Sequence, residues 1–147
     1  MTSTNEEEME EMLAAIKNRY GDVKSHRGEI VEFLGMSMDM SIPGSASVTM
    51  KGMEKSIVED STAEERTRRT NSPAADDIFD IDEDSLPLPE RERKEFHGMV
   101  ARLLYLAKRV RPECLMAVSF LTTRVTKATS EDKVKLDRII NYLRDND

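Results

Sequence analysis

The sequence predicts an α+β chain made of an N-terminal helix and β-hairpin, a disordered acidic linker, and a C-terminal three-helix unit. Apolar residues recur at helical spacing from Phe96 to Leu143, and they alternate at period two from Leu34 to Met40. Between these patterns, residues 60–93 are charged, rich in Ser, Thr and Pro, and poor in large apolar side chains. The chain therefore divides at 1–59, 60–93 and 94–147.

The first helix has all its punctuation. Thr4 or Asn5 can cap it, Glu6, Glu7 and Glu8 complement its positive end, Met9, Met12, Leu13 and Ile16 form its apolar stripe, and Gly21 can end it. Residues 29–40 then read as one strand, with Leu34, Met36, Met38 and Met40 on one face. Ile42, Pro43, Gly44 and Ser45 supply turn chemistry, so residues 46–50 can return antiparallel. Ten methionines are many for 147 residues. Met36, Met38, Met40, Met50 and Met53 suit either an adaptable binding surface or core filling, since a thioether adapts to both.

Residues 60–93 read as a mobile acidic linker. Asp80, Asp82 and Asp84 have the spacing of a calcium loop, but Ser85 stands where glycine is needed and Arg91 where a bidentate glutamate belongs. No metal site is expected there.

From Phe96 onward, Met99, Val100, Leu103, Leu104 and Ala107 form one helical stripe, followed by Lys108, Arg109 and Arg111 at its negative end. Pro112 ends that helix and suits the first turn of the next, whose stripe is Leu115, Val118, Leu121 and Val125. Thr129 and Asp132 form a capping-box relative ahead of Val134, Leu136, Ile139, Ile140 and Leu143.

Composition excludes several functions. The single cysteine, Cys114, rules out an internal disulfide and a cysteine-based zinc cluster, and its place on an apolar face predicts packing. His26 and His97 have no ligand pattern around them, and nucleotide-binding glycine loops and nucleophile elbows are absent. No apolar run approaches a membrane span of about 20 residues, and no secretory signal opens the chain, so an intracellular, cytoplasmic protein without membrane partners is expected. The net charge of −7 is uneven: residues 1–89 carry 9 Lys and Arg against 20 Asp and Glu, a balance of −11, and residues 90–147 carry 13 against 9, a balance of +4. A basic C-terminal part can follow a phosphate backbone, with Arg102, Lys108, Arg109, Arg111, Arg124 and Lys127 as candidates; solvated helix faces are the plainer alternative.

A literal motif goes beyond periodicity. Gly98, Leu103-Leu104-Tyr105-Leu106-Ala107, Arg111-Pro112 and Ala117-Val118-Ser119-Phe120-Leu121 together resemble the downstream signature of copia-type retrotransposon reverse transcriptases. In that family the signature follows the palm and leads through the thumb toward the RNase H domain. The closing stretch that ends in Ile139-Ile140-Asn141-Tyr142-Leu143-Arg144-Asp145 is similar to the segment before that boundary. Leu86-Pro87-Leu88-Pro89 fits the family's approach to the signature helix. The N-terminal order of helix, Phe33-Leu34-Gly35-Met36, turn and strand resembles the palm just after the catalytic Tyr-x-Asp-Asp hairpin, and Met1-Thr2-Ser3 fits the stretch leaving that hairpin.

The resemblance implies RNA-directed DNA synthesis in an intact polyprotein. Phe33, Leu34, Gly35 and Met36 would lie near the primer, and the basic helices would hold an RNA or DNA primer–template. The partners include the missing fingers, palm and RNase H parts. Polymerases of this kind hold two Mg2+ ions with palm carboxylates, and the resembling region begins after those residues. Catalytic residues, a metal and a cofactor are therefore not expected in this fragment, and neither is polymerase activity. Met1 would be an internal methionine of a truncated reading frame or polyprotein. A non-catalytic protein- or RNA-binding module and a degenerate retroelement remnant without function are the competing expectations.

Overall fold

The computed structural model describes residues 5–64 and 68–146. Helix α1 spans Glu6–Tyr20 and begins where the Asn5 side chain accepts the Glu7 amide at 3.1 Å. Gly21, at φ 84°, ends it by donating its amide to the Lys17 carbonyl. Thr4 lies outside the described residues. The apolar stripe of α1 is not inserted in a core, because none of its residues is buried.

Residues 29–40 are not one strand but two. Strands β1 (Ile30–Phe33) and β2 (Met36–Asp39) pair antiparallel, and β3 (Ser47–Thr49) joins β2 to give the order β1-β2-β3. The break falls at Leu34 and Gly35, with φ of 51° and 78°. Two consecutive positive φ values make a two-residue turn whose twist matches that of the flanking strands. Alternation shifts by one residue across such a turn, so Phe33 and Met36 share a face. Leu34, itself apolar and in the turn, keeps the even spacing of Met36, Met38 and Met40, which is why the sequence pattern looks unbroken. Val31, Phe33, Met36, Met38 and Val48 share one face; Ile30, Glu32, Ser37 and Asp39 share the other.

A helix missing from the expectation follows at once. Helix α2 (Lys51–Asp60) starts without a side-chain cap and carries Gly52 in its first turn, so the usual start signals are absent. The legible trace was the spacing of Met50, Met53 and Ile57; Met50 is 2% exposed and Ile57 fully buried. Their burial places α2 in the same core as the C-terminal helices.

Helix α3 (Glu90–Ala107) starts immediately after Pro89, before the 94 boundary, with Glu90 and Glu92 in its first turn. It buries Phe96, Val100, Leu103, Leu106 and Ala107. A 3-10 turn, Pro112–Cys114, then leads into α4 (Leu115–Thr122). Helix α4 stops before Val125, where the hydroxyls of Thr122 and Thr123 donate to the carbonyls of Ser119 and Phe120 at 2.7 Å each. Helix α5 (Ser130–Asp145) has the expected capping box between Thr129 and Asp132 and buries Leu136, Ile139, Ile140 and Leu143.

The described part of 60–93, expected as a mobile linker, includes Asp60 of α2 and residues 90–93 of α3 and is otherwise loop. The segment carries little regular structure, yet it is tied down along α4 and α5. Ile78 and Leu88 are buried, and Phe79 meets Phe120 edge-on at 5.6 Å. The Leu88 amide donates to the Ala128 carbonyl at 2.9 Å, the Ser130 amide to the Leu86 carbonyl at 2.9 Å, and the Thr70 amide to Asp145 at 2.7 Å. A composition average hides a few well-spaced apolar residues that suffice to fix a loop. Among the described residues, no helix is long and apolar enough to cross a membrane.

Candidate nucleic-acid interface

The two-residue turn of the hairpin carries Leu34, whose carbonyl accepts the Tyr105 hydroxyl of α3 at 2.9 Å. The guanidinium of Arg109, one helical turn further on, lies 3.5 Å over the Tyr105 ring and donates to the Tyr105 carbonyl at 3.0 Å. Stacking of this kind holds a cation in place at the surface with its outer face free for an anion or a base. Lys108 beside it is exposed. Phe33 and Leu34 are 56% and 62% exposed, and Met36 packs against the core. A projecting apolar turn and an adjacent cationic helix end thus form one surface.

The six cationic candidates separate into two groups. Arg124 is buried and bonds both carboxylate oxygens of Asp132, at 3.1 and 3.2 Å. Arg111 pairs with Glu54 of α2 at 2.6 Å and donates to the Asn146 carbonyl at 2.8 Å. Burial pulls its pKa down, but the Glu54 hydrogen bond and the nearby negative charges, Glu54 foremost, together outweigh that and leave it raised, so the charge is retained. Arg102 pairs with Asp60 at 2.9 Å and donates to the Ser56 hydroxyl at 2.7 Å. These three arginines hold the helices together. Lys108, Arg109 and Lys127 are exposed and form no ion pair among the described residues.

Tyr105 and α2 carry roles that the sequence did not announce. Tyr105 reads as a stripe-edge aromatic, and nothing local marks it as the tie to a turn 71 residues earlier. Glu54, Ser56 and Asp60 go unnoticed with the helix that bears them. Cys114 is 1% exposed, and burial pushes its thiol up to about 12, so it is packing and not a thiolate at neutral pH. Met50 and Met53 pack in or against the core, and Met40 is 41% exposed.

A cavity of about 400 Å³ opens between the ends of α2, α3 and α5, over Leu88, Phe96, Met99, Leu136 and Ile140. Its rim charges are largely engaged, Arg91 with Glu95 at 3.1 Å and Lys133 with Glu92 at 3.7 Å. Asp80, Asp82 and Asp84 form no ligand shell; the Asp82 amide donates to Glu131, and the Asp84 amide to the Asp82 carboxylate. Among the described residues, no three His, Cys, Asp or Glu side chains gather to hold a metal ion.

Comparison with family models, with curated proteins and with solved structures gives no match.

Proposed function

We propose that this chain is a segment of a retrotransposon RNA-directed DNA polymerase of the copia type, contributing primer–template contacts and lacking the catalytic aspartates. The observation that carries this reading is the Tyr105–Leu34 hydrogen bond. It joins the two stretches on which the resemblance rests, Leu103-Leu104-Tyr105-Leu106-Ala107 and Phe33-Leu34-Gly35-Met36, across 71 residues of sequence. A projecting turn fixed to a cationic helix end suits a duplex, with the turn against one strand and Lys108, Arg109 and Lys127 along phosphates. Arg102, Arg111 and Arg124 are assigned to internal ion pairs in this reading.

Among the described residues no carboxylates gather as a two-metal site would need, and this reading gives them no chemical step. Phosphoryl transfer would belong to a palm upstream, and RNase H activity to a domain downstream. The test is to sequence the genomic DNA and transcript upstream of the Met1 codon. An in-frame Tyr-x-Asp-Asp a few codons before Met1 is the expected result. Stop codons or unrelated coding sequence there would overturn the assignment and leave a separate binding module or a remnant.

A further inference from the structure

We infer that the outer edge of β1 is a docking site for an extended segment in which apolar residues alternate with lysine or arginine, added to the sheet as a fourth strand. This inference does not depend on the nucleic-acid reading. The register of the hairpin decides which main-chain groups are free. The Met40 amide donates to the Glu29 carbonyl at 2.8 Å, and Phe33 faces Met36 across the two-residue turn. Glu29, Val31 and Phe33 therefore direct their main-chain groups to β2, and alternation turns those of Ile30 and Glu32 outward. Among the described residues, neither outward pair meets a partner. The opposite edge strand, β3, runs directly into the buried Met50 and α2.

Folded proteins blunt an open edge with very short strands, charged side chains, proline, a bulge or a covering loop, and β1, four residues long with Glu32 as its one charge, is blunted only in part. Strand β1 has no proline or lysine, its pairing with β2 is unbroken by a bulge, and Ile30 is 62% exposed. The two faces set the chemistry of what would pair there. Residues laid opposite Val31 and Phe33 extend the apolar face that already holds Met36, Met38 and Val48. Those opposite Ile30 and Glu32 join a face on which Glu32 and Asp39 have no cation across from them. Opposite charges across strands are stabilising, so a cation fits there. A second copy of β1 would bring another Glu32 to that face and no cation, which argues against self-pairing. Tyr105 occupies the Leu34 carbonyl and closes the edge at that end.

The test is a titration of the isotope-labelled full chain with an acetylated, amidated heptapeptide alternating valine and lysine. A peptide alternating valine and glutamate serves as control. The lysine peptide is expected to shift and protect the Ile30 and Glu32 amides, and the glutamate peptide to bind roughly two- to fivefold more weakly per paired charge. Glu32→Pro removes an outward amide without touching the β2 ladder and is expected to abolish binding. Glu32→Lys keeps the edge and is expected to reverse the preference between peptides, which decides the matter if the proline variant loses its fold. Unmoved Ile30 and Glu32 amides, equal binding of the two peptides, or an unreversed preference in Glu32→Lys would overturn the proposal. Self-association of the peptide-free chain through this edge would likewise overturn it in favour of a second copy.

Discussion

Leu34 stands at φ 51° with an exposed side chain, a backbone region that an L residue enters at a cost of roughly 1–2 kcal/mol. What keeps it there is the turn geometry and the Tyr105 bond to its carbonyl. Leu34→Gly is therefore predicted to raise stability by about 0.5 kcal/mol, the relief of strain being partly offset by the greater freedom of unfolded glycine. A shift of the urea midpoint to higher concentration checks this. The opposite case is Arg124, whose charge is buried against Asp132. Arg124→Met leaves the carboxylate buried without its cation and is predicted to cost roughly 3–5 kcal/mol. A drop of that size in chemical unfolding would assign Arg124 to the fold; a negligible drop would return it to the phosphate-binding candidates.

Between elements, Glu131 in the first turn of α5 accepts the Asp82 amide at 2.9 Å and pairs with Lys135 at 2.9 Å, clasping the acidic loop onto the helix. The Asp82 bond first, then Lys135, hold its carboxyl below the ordinary 4.5. A lowered folded-state value means that its stabilisation is fully present above pH 4.5 and is lost as pH falls through the lower value. Glu131→Gln is predicted to flatten the acid limb of the stability–pH curve, measured as urea midpoints below pH 4.5. This clasp also shows what the sequence could and could not reveal. Caps and stripes are local, so Asn5, Gly21, Thr129 and most of the faces of α3 and α5 were legible; Val134, read as part of the α5 stripe, is 57% exposed. The turn at Leu34 was hidden because Leu34, apolar and in the turn, keeps the even spacing of Met36, Met38 and Met40, and α2 was hidden because it lacks a cap. The described loop residues between α2 and α3 are held by partners distant in sequence, such as Asp82 with Glu131 and Leu88 with Ala128, and no local pattern records them. The surface by Tyr105 was half legible: both motifs stood out, but their meeting did not.

At the scale of the whole molecule, α2 joins the region carrying the hairpin to the C-terminal helices through Ile57, which is fully buried, and through Glu54 on Arg111. Ile57→Ala is predicted to cost roughly 2–5 kcal/mol. The loss is expected in one cooperative transition of α2, α3 and α5, seen as coincident melting of tyrosine fluorescence and circular dichroism signals. Separate transitions would mean that α2 is not part of the shared core. That shared core holds the turn at Leu34 next to Lys108 and Arg109, and the proposed duplex binding depends on this arrangement. The most direct measurement is the affinity of the chain for a primer–template duplex across a salt series, beside the Lys108→Glu, Arg109→Glu double variant. Wild-type affinity should fall linearly on logarithmic axes as salt rises, and the variant should bind more weakly, with a slope reduced by about 1 for each phosphate it no longer neutralises. Equal affinity of the two proteins at low salt would contradict the account.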